Sequence, residues 1–150
     1  MIEGISKLDT KATRIFCALM EMANNNSGYI TLGELGNVIE PLSVEIYDTT
    51  HRLDDKPVVI YAIQHSWVCN GDLMADPLMF FIYSPMEKAV YPISYQNDPL
   101  AYEYSLRFTD DGGCEINQQM QKEHTQFANQ WMRNITQLFP EVMDAVTKTA

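Results

Sequence analysis

Basic residues are scarce in this chain. Ten Lys and Arg stand against 20 Asp and Glu, a formal net charge of −10, and the acids outnumber the bases in every third of the sequence. Nucleic acids and anionic membranes draw binding energy from clustered Lys and Arg, so no nucleic-acid partner and no membrane partner is expected. Cysteine is sparse too. Cys17, Cys69 and Cys114 are odd in number, far apart, and form no C-x-x-C pair for zinc or redox work. That usage fits reduced thiols in a cytoplasmic protein. Long apolar runs are missing. None is longer than Leu78 to Tyr83, which falls far short of the roughly 20 residues a membrane helix needs. The first residues show no basic segment followed by an apolar core, so no signal peptide is expected. A glycine-rich phosphate loop, internal repeats and low-complexity tracts are absent as well.

What is present is enough for a folded domain. The 150 residues are 46% hydrophobic, sufficient to enclose a core without metal or disulfide support. No Pro/Gly/Ser linker divides them, so residues 1–150 read as a single domain. The acidity serves solubility, or offers a surface to a basic protein partner.

Local patterns predict the elements. Asp9 or Thr10 caps a helix in which Ile15, Leu19 and Met22 recur at helical spacing, and Asn24 to Gly28 stops it. Thr31-Leu32-Gly33-Glu34 matches a capping box and predicts a second helix, with Leu35, Val38 and Ile39 as its apolar side and Pro41 closing it. No Lys or Arg lies between residues 15 and 51, and Glu34 and Glu40 would face phosphates badly, which argues against a DNA-binding helix-turn-helix. From Leu42 the period changes to two: Val44 and Ile46 alternate with Glu45 and Tyr47. His51 to Lys56 reads as a charged turn. Pro57 to Val68 and Leu78 to Tyr83 read as strands, apolar on both faces over much of their length. Ala89 to Tyr95 carries Pro92, which places it at an edge or a bulge. Tyr102, Tyr104, Leu106 and Phe108 alternate with polar residues and predict one half-buried strand. A long helix follows from about Asn117 to Leu138, through Met120, His124, Phe127, Trp131 and Ile135, with a less regular helical turn over residues 141–147.

Connections of two to eight residues force antiparallel neighbours. The expected fold is α+β: an antiparallel sheet of about five strands in a hairpin meander, packed by two N-terminal helices and a long C-terminal helix. Aromatics crowd the sheet. If helices cover one face, apolar residues on the other must meet a second subunit or a ligand. A protein partner or homodimer is therefore the leading expectation.

The stretch from His65 to Tyr83 carries the densest polar punctuation. Asn70-Gly71 suits a tight hairpin corner, and a wider loop from Asn70 to Asp76 fits equally well. Asp72 and Asp76 can serve such a turn by accepting backbone N–H bonds. They are also candidate catalytic residues and metal ligands with His65. One His and two Asp suffice for a divalent ion, or for a general base oriented by a carboxylate. No cofactor other than that ion is expected. His51 with Asp48, Asp54 and Asp55 forms a second acidic cluster, more simply a solvated turn. Cys69 lies about 13 Å along a strand from His65, too far for a nucleophile–base pair without a bend. His124 reads as a satisfied histidine at the core boundary.

Asn70-Gly71-Asp72-Leu73-Met74-Ala75-Asp76-Pro77, with Met79 and Phe81 after it, resembles the signature NGDLM-x-DP-x-M-x-F of a family of small uncharacterised bacterial proteins. That family is often encoded on plasmids and other mobile elements. Leu78 stands where the family pattern places an acidic residue. The resemblance implies that Asn70, Gly71, Asp72, Asp76 and Pro77 act together, and it brings no activity with it. The expected function is that of a small acidic protein-binding or self-associating domain, a mobile-element accessory protein. The alternatives are a divalent-metal-dependent enzyme or metal-binding protein using His65, Asp72 and Asp76, and an acidic inhibitor or DNA mimic acting on a basic partner.

Overall fold

The computed structural model describes residues 4–35, 38–97 and 101–149. Helix α1 (Thr10–Asn24) forms where its apolar spacing placed it, capped by Asp9, whose carboxylate accepts the Ala12 N–H at 2.8 Å. Ile15, Phe16, Leu19 and Ala23 are buried along one side. Gly28, at φ +90°, ends the helix and returns its N–H to the Ala23 carbonyl at 2.7 Å.

The expected second N-terminal helix is not there. Residues 29–32 form strand β1 (Tyr29–Leu32) instead, paired antiparallel with β2 (Leu42–Asp48). The capping-box pattern is a local preference, and it loses to a ladder that buries Ile30 against Val44. Gly33 makes the turn. At φ +83° it suits only glycine, and a Cβ there would come within 3.3 Å of the Phe139 ring and 3.4 Å of the Pro41 Cα. Leu35, Val38 and Ile39 are exposed rather than forming an apolar helix face. Gly36 and Asn37, in the middle of the expected helix, lie outside the described residues.

The charged turn after β2 is a small hairpin, β3 (Arg52–Leu53) and β4 (Lys56–Pro57), with Asp54 and Asp55 at its corner, both at positive φ. The two long strands β5 (Val59–Cys69) and β6 (Asp72–Ser84) pair with each other. β7 (Ala89–Pro92) and β8 (Ser94–Asn97) then run one after the other along the same flank of β6. Their registers differ by one residue, and the shift falls at Pro92-Ile93, where proline interrupts the ladder. β9 (Ala101–Tyr104) pairs with β8. The main sheet thus has seven strands, in the order β1-β2-β5-β6-β8-β9 with β7 also on β6, and each pairing is antiparallel.

The expected strand through Tyr102 and Phe108 breaks at Ser105. That residue gives its N–H to Ile93 O at 2.9 Å and accepts the Asn117 N–H at 2.8 Å. β10 (Leu106–Phe108) leaves the main sheet and pairs with β11 (Cys114–Ile116). Two C-terminal helices follow. α2 (Gln118–Leu138) is capped by Asn117, and α3 (Pro140–Thr149) starts at Pro140, which opens a helix rather than only closing one. The architecture is α+β with one N-terminal helix, two C-terminal helices and a sheet larger than the five strands expected.

Two cores explain why β5 and β6 are apolar on both faces. Tyr61, Ile63, Met79 and Phe81 meet Phe16 and Leu19 of α1, Trp131 and Ile135 of α2, and Val142 of α3. On the reverse face Ile60, Ile82 and Tyr91 pack with Leu53, Val58, Ile93 and Leu106. There the hairpins β3–β4 and β10–β11 act as a partial second cover. Among the described residues no helix is long and apolar enough to cross a membrane.

Candidate functional site

The motif hairpin closes tightly. Asn70 and Gly71 take positive φ, of 52° and 83°, and Cys69 pairs directly with Asp72. A wider loop is thereby ruled out. The register then slips. Ser66 pairs with Ala75 and Gln64 with Leu78, so Asp76 and Pro77 together oppose His65 alone. This is a β-bulge, and it brings two of the three candidate site residues to the same level of the sheet. The Asp76–Pro77 peptide is cis.

His65 itself points into the helical layer. It is buried, its ring lies 5.8 Å from that of Trp131 and stacks at 6.3 Å on Phe139, and Nδ1 donates to the Glu40 carbonyl at 3.3 Å. Burial holds its pKa below the ordinary histidine value, against the opposing pull of the Glu40 backbone and the Asp76 charge. Asp76 is half-buried. The Asp72 backbone opens β6 directly after the turn, and its side chain lies outside what is described. Among the described residues no group of three or more His, Cys, Asp or Glu is placed to hold a metal ion.

The depressed pKa of His65 has a definite consequence for stability. Above its unfolded value, about 6.5, the ring is neutral in both states and the fold keeps its full stability. Below that value the unfolded chain takes up the proton first, and stability falls until the folded ring titrates too. Urea unfolding followed between about pH 7.5 and 5.5 is expected to show a larger loss for the wild type than for His65→Phe. Equal losses would show that His65 is not buried in its neutral form.

His124 makes a second polar cluster. Its Nδ1 lies 2.9 Å from Ser105 Oγ and its Nε2 lies 2.9 Å from Glu103 Oε1. A serine, a histidine and a glutamate in a line suggest acyl transfer. The exposure is inverted for that chemistry: Ser105 is 1% exposed, whereas Glu103 reaches water. A nucleophile must meet substrate, and a triad carboxylate is normally the sheltered member. These contacts fasten α2 to the corner between β9 and β10. The expectation of a satisfied histidine is met, with partners that periodicity alone did not reveal.

The surface best shaped for recognition is the sheet face opposite the helices. Leu42 and Val44 turn toward α1, so Glu45 and Tyr47 point the other way, and Tyr29 follows by pairing with Glu45. Tyr102 pairs with Gln96 and Tyr104 with Ser94, which places both on that same outer side. These four tyrosines are 42 to 60% exposed. Tyr47 packs on Phe80 with 4.6 Å between ring centroids, Tyr104 donates its hydroxyl hydrogen to Tyr102, and the Arg107 guanidinium sits 4.9 Å above the Tyr104 ring. Burial first, and then the close second phenol of Tyr104, beside which a phenolate would be crowded, push the Tyr102 pKa up to about 12.

Where β10 folds over this face a cleft of about 300 Å³ opens between Tyr47, Phe80, Tyr104, Arg107 and Phe108. A more polar cavity of about 480 Å³ adjoins it, between the β3–β4 and β10–β11 turns, with Arg52, Asp55 and Asp110 in its walls. His51 lines both. Its ring meets the Phe108 edge at 4.2 Å. Its Nδ1 is 3.3 Å from Asp48 Oδ1, within Coulombic reach but off the line of a hydrogen bond. Asp48 is already engaged by the Thr50 hydroxyl and N–H, which hold its carboxyl below the usual range. Of the second acidic cluster, Asp48 and His51 come together, while Asp54 and Asp55 shape the turn. The outward place of Tyr47 was readable from its alternation with Val44 and Ile46. That of Tyr102 and Tyr104 was not, because the break at Ser105 separates them from Leu106 and its buried face.

Comparison with known proteins returns a family without an assigned activity. The model of DUF6908, a domain of unknown function, matches residues 14–138. No curated protein and no solved structure matches the chain.

Proposed function

The chain belongs to the DUF6908 family, and from that premise we propose that it is a protein-binding domain whose open tyrosine face docks a second copy of itself. The observation that supports this is that Tyr47, Tyr102 and Tyr104, with Tyr29 at the far edge on β1, are exposed on the sheet face that the two small hairpins cover only in part. Tyrosine brings large apolar area at low entropy cost and keeps a polar tip, and tyrosine and arginine dominate binding hot spots. The face also carries both signs of charge: Arg107 and Asp48 line the same cleft, and Glu45 is exposed further along β2. A two-fold axis placed between Arg107 and Glu45 would set each against its opposite on the other copy. The motif from Asn70 to Phe81 suggests a plasmid or mobile-element origin, which is compatible with a small accessory protein of this kind.

A metal-holding or catalytic role for His65, Asp72 and Asp76 has weaker support, because His65 commits Nδ1 to Glu40 and packs its ring between Trp131 and Phe139. An inhibitor or DNA-mimic role rests on net charge alone.

Self-docking makes a counter-intuitive prediction. Two chains of charge −10 repel, and salt screens that repulsion more than it weakens apolar tyrosine contacts. Sedimentation velocity is expected to show dimers that tighten as salt rises from about 0.05 to 0.5 M. A Tyr47→Ser/Tyr104→Ser variant, changed only at exposed positions, is expected to stay folded and monomeric. A wild type that is monomeric throughout would reject the proposal.

A further inference from the structure

The groove between α1 and α3 stands out against the acidity of the rest of the molecule. Lys11 and Arg14 are exposed on α1, three residues apart and so on one face. Among the described residues neither side chain has an ion-pair or hydrogen-bond partner. The first turn of α1 adds no acidic side chain beside them. The cap residue Asp9 does not cancel them. Its carboxylate is held by Arg133 Nη2 at 2.8 Å and by the Ala12 N–H.

Beneath this rim lies a cleft of about 320 Å³, lined by Thr10, Ile15, Thr136, Met143 and Val146 with Lys11 and Arg14. Its volume is near the lower limit of small-molecule pockets, which start at about 300 Å³. Ile15 and Thr136 are buried and form the floor, and Met143 is an exposed, conformationally adaptable wall. An apolar trough with paired cations at its lip selects a ligand with an apolar body and one negative end. Neutral apolar molecules leave the cations unused, and a simple inorganic anion leaves the trough unfilled. Two basic residues are too few to hold a protein of charge −10 on an anionic membrane.

The geometry points to a binding site for a small aliphatic carboxylate, its chain laid on Ile15, Met143 and Val146 and its carboxylate held between Lys11 and Arg14. The site is separate from the tyrosine face and does not depend on self-docking.

The test is an amide NMR titration of the full chain with octanoate, with 1-octanol and octylammonium as matched probes. Octanoate is expected to give saturable shifts confined to residues 10–15 and 136–146, and to bind at least about tenfold more tightly than either probe. Lys11→Glu/Arg14→Glu, changed at two exposed positions, is expected to retain its thermal melt and lose at least about tenfold in octanoate affinity. Met143→Trp, which fills the trough and keeps both cations, is expected to lose it as well. No saturable shift up to about 10 mM, 1-octanol binding as tightly as octanoate, or unchanged binding in the charge-reversal variant would each overturn the assignment. So would a response to an acidic amphipathic peptide with none to octanoate, which would make the groove a protein-docking surface.

Discussion

Phe81→Ala is expected to lose about 3–5 kcal/mol of stability, in line with large aromatic deletions in well-packed cores. Phe81 is fully buried, lies across from Tyr61 on β5 and Pro92 on β7, and meets the Phe16 ring at 5.2 Å. Phe16 in turn sets its edge against Tyr61 at 5.7 Å. Removing the ring opens a cavity where α1 sits on the centre of the sheet, at a point enclosed on every side and unable to collapse cheaply. A domain of this size is typically stable by about 5–15 kcal/mol, so the loss is a large share of the total. Urea unfolding monitored by tryptophan fluorescence measures it. A loss below about 1.5 kcal/mol would mean that α1 does not pack on the sheet as described. The exposed Tyr102→Ala is the control, expected within about 0.5 kcal/mol of wild type.

Gln121→Leu is expected to be nearly as damaging, for a different reason. Gln121 is completely buried on α2, yet it is polar and fully used. Its Oε1 accepts the Ser6 N–H at 2.6 Å, and its Nε2 donates to the Ser6 carbonyl at 2.7 Å and the Pro92 carbonyl at 3.1 Å. Leucine fills similar space and satisfies none of these groups. Each buried backbone group left unpaired costs about 1–3 kcal/mol, so a loss of about 3 kcal/mol is expected. The damage should also be local. The segment before α1 is tied down by these bonds and by the Leu8 N–H to Val90 O at 2.9 Å. Hydrogen exchange at Ser6 and Leu8 should therefore accelerate more than exchange in β5 and β6. A stability change below about 1 kcal/mol, or uniform acceleration, would show that Gln121 does not anchor that segment.

These two residues mark the difference between what local pattern reveals and what it hides. Phe81 was legible as a core residue, because a run such as Leu78 to Tyr83 is apolar on both faces only when the sheet is covered on both sides. Gln121 was not legible. On α2 it sits beside Met120 and His124 with no feature separating it from the exposed glutamines of the same helix, and its role depends on a segment 115 residues away. The candidate site divides along the same line. Asn70-Gly71 announced its turn through its tolerance of positive φ. The opposition of His65 to Asp76 needed the bulge, and the bulge needed β6 to carry one residue more than β5 over the same length. Lys11 and Arg14 are ordinary surface cations on α1 until α3 supplies the other wall of their groove.

Apolar pattern and capping by themselves determined the extents of α1 and α2, the centres of the long paired strands, and the antiparallel sense forced by short connections. These are nearest-neighbour properties of the backbone, decided within a turn or a strand. Tertiary structure decided that residues 29–32 would be a strand rather than a helix, that β10 would leave the sheet at Ser105, and that the hairpins would cover part of its second face. It also set which tyrosines stay in water. In each case competing local states lie close in energy, and contacts between distant segments, burying side chains such as Ile30 and Leu106, tip the balance.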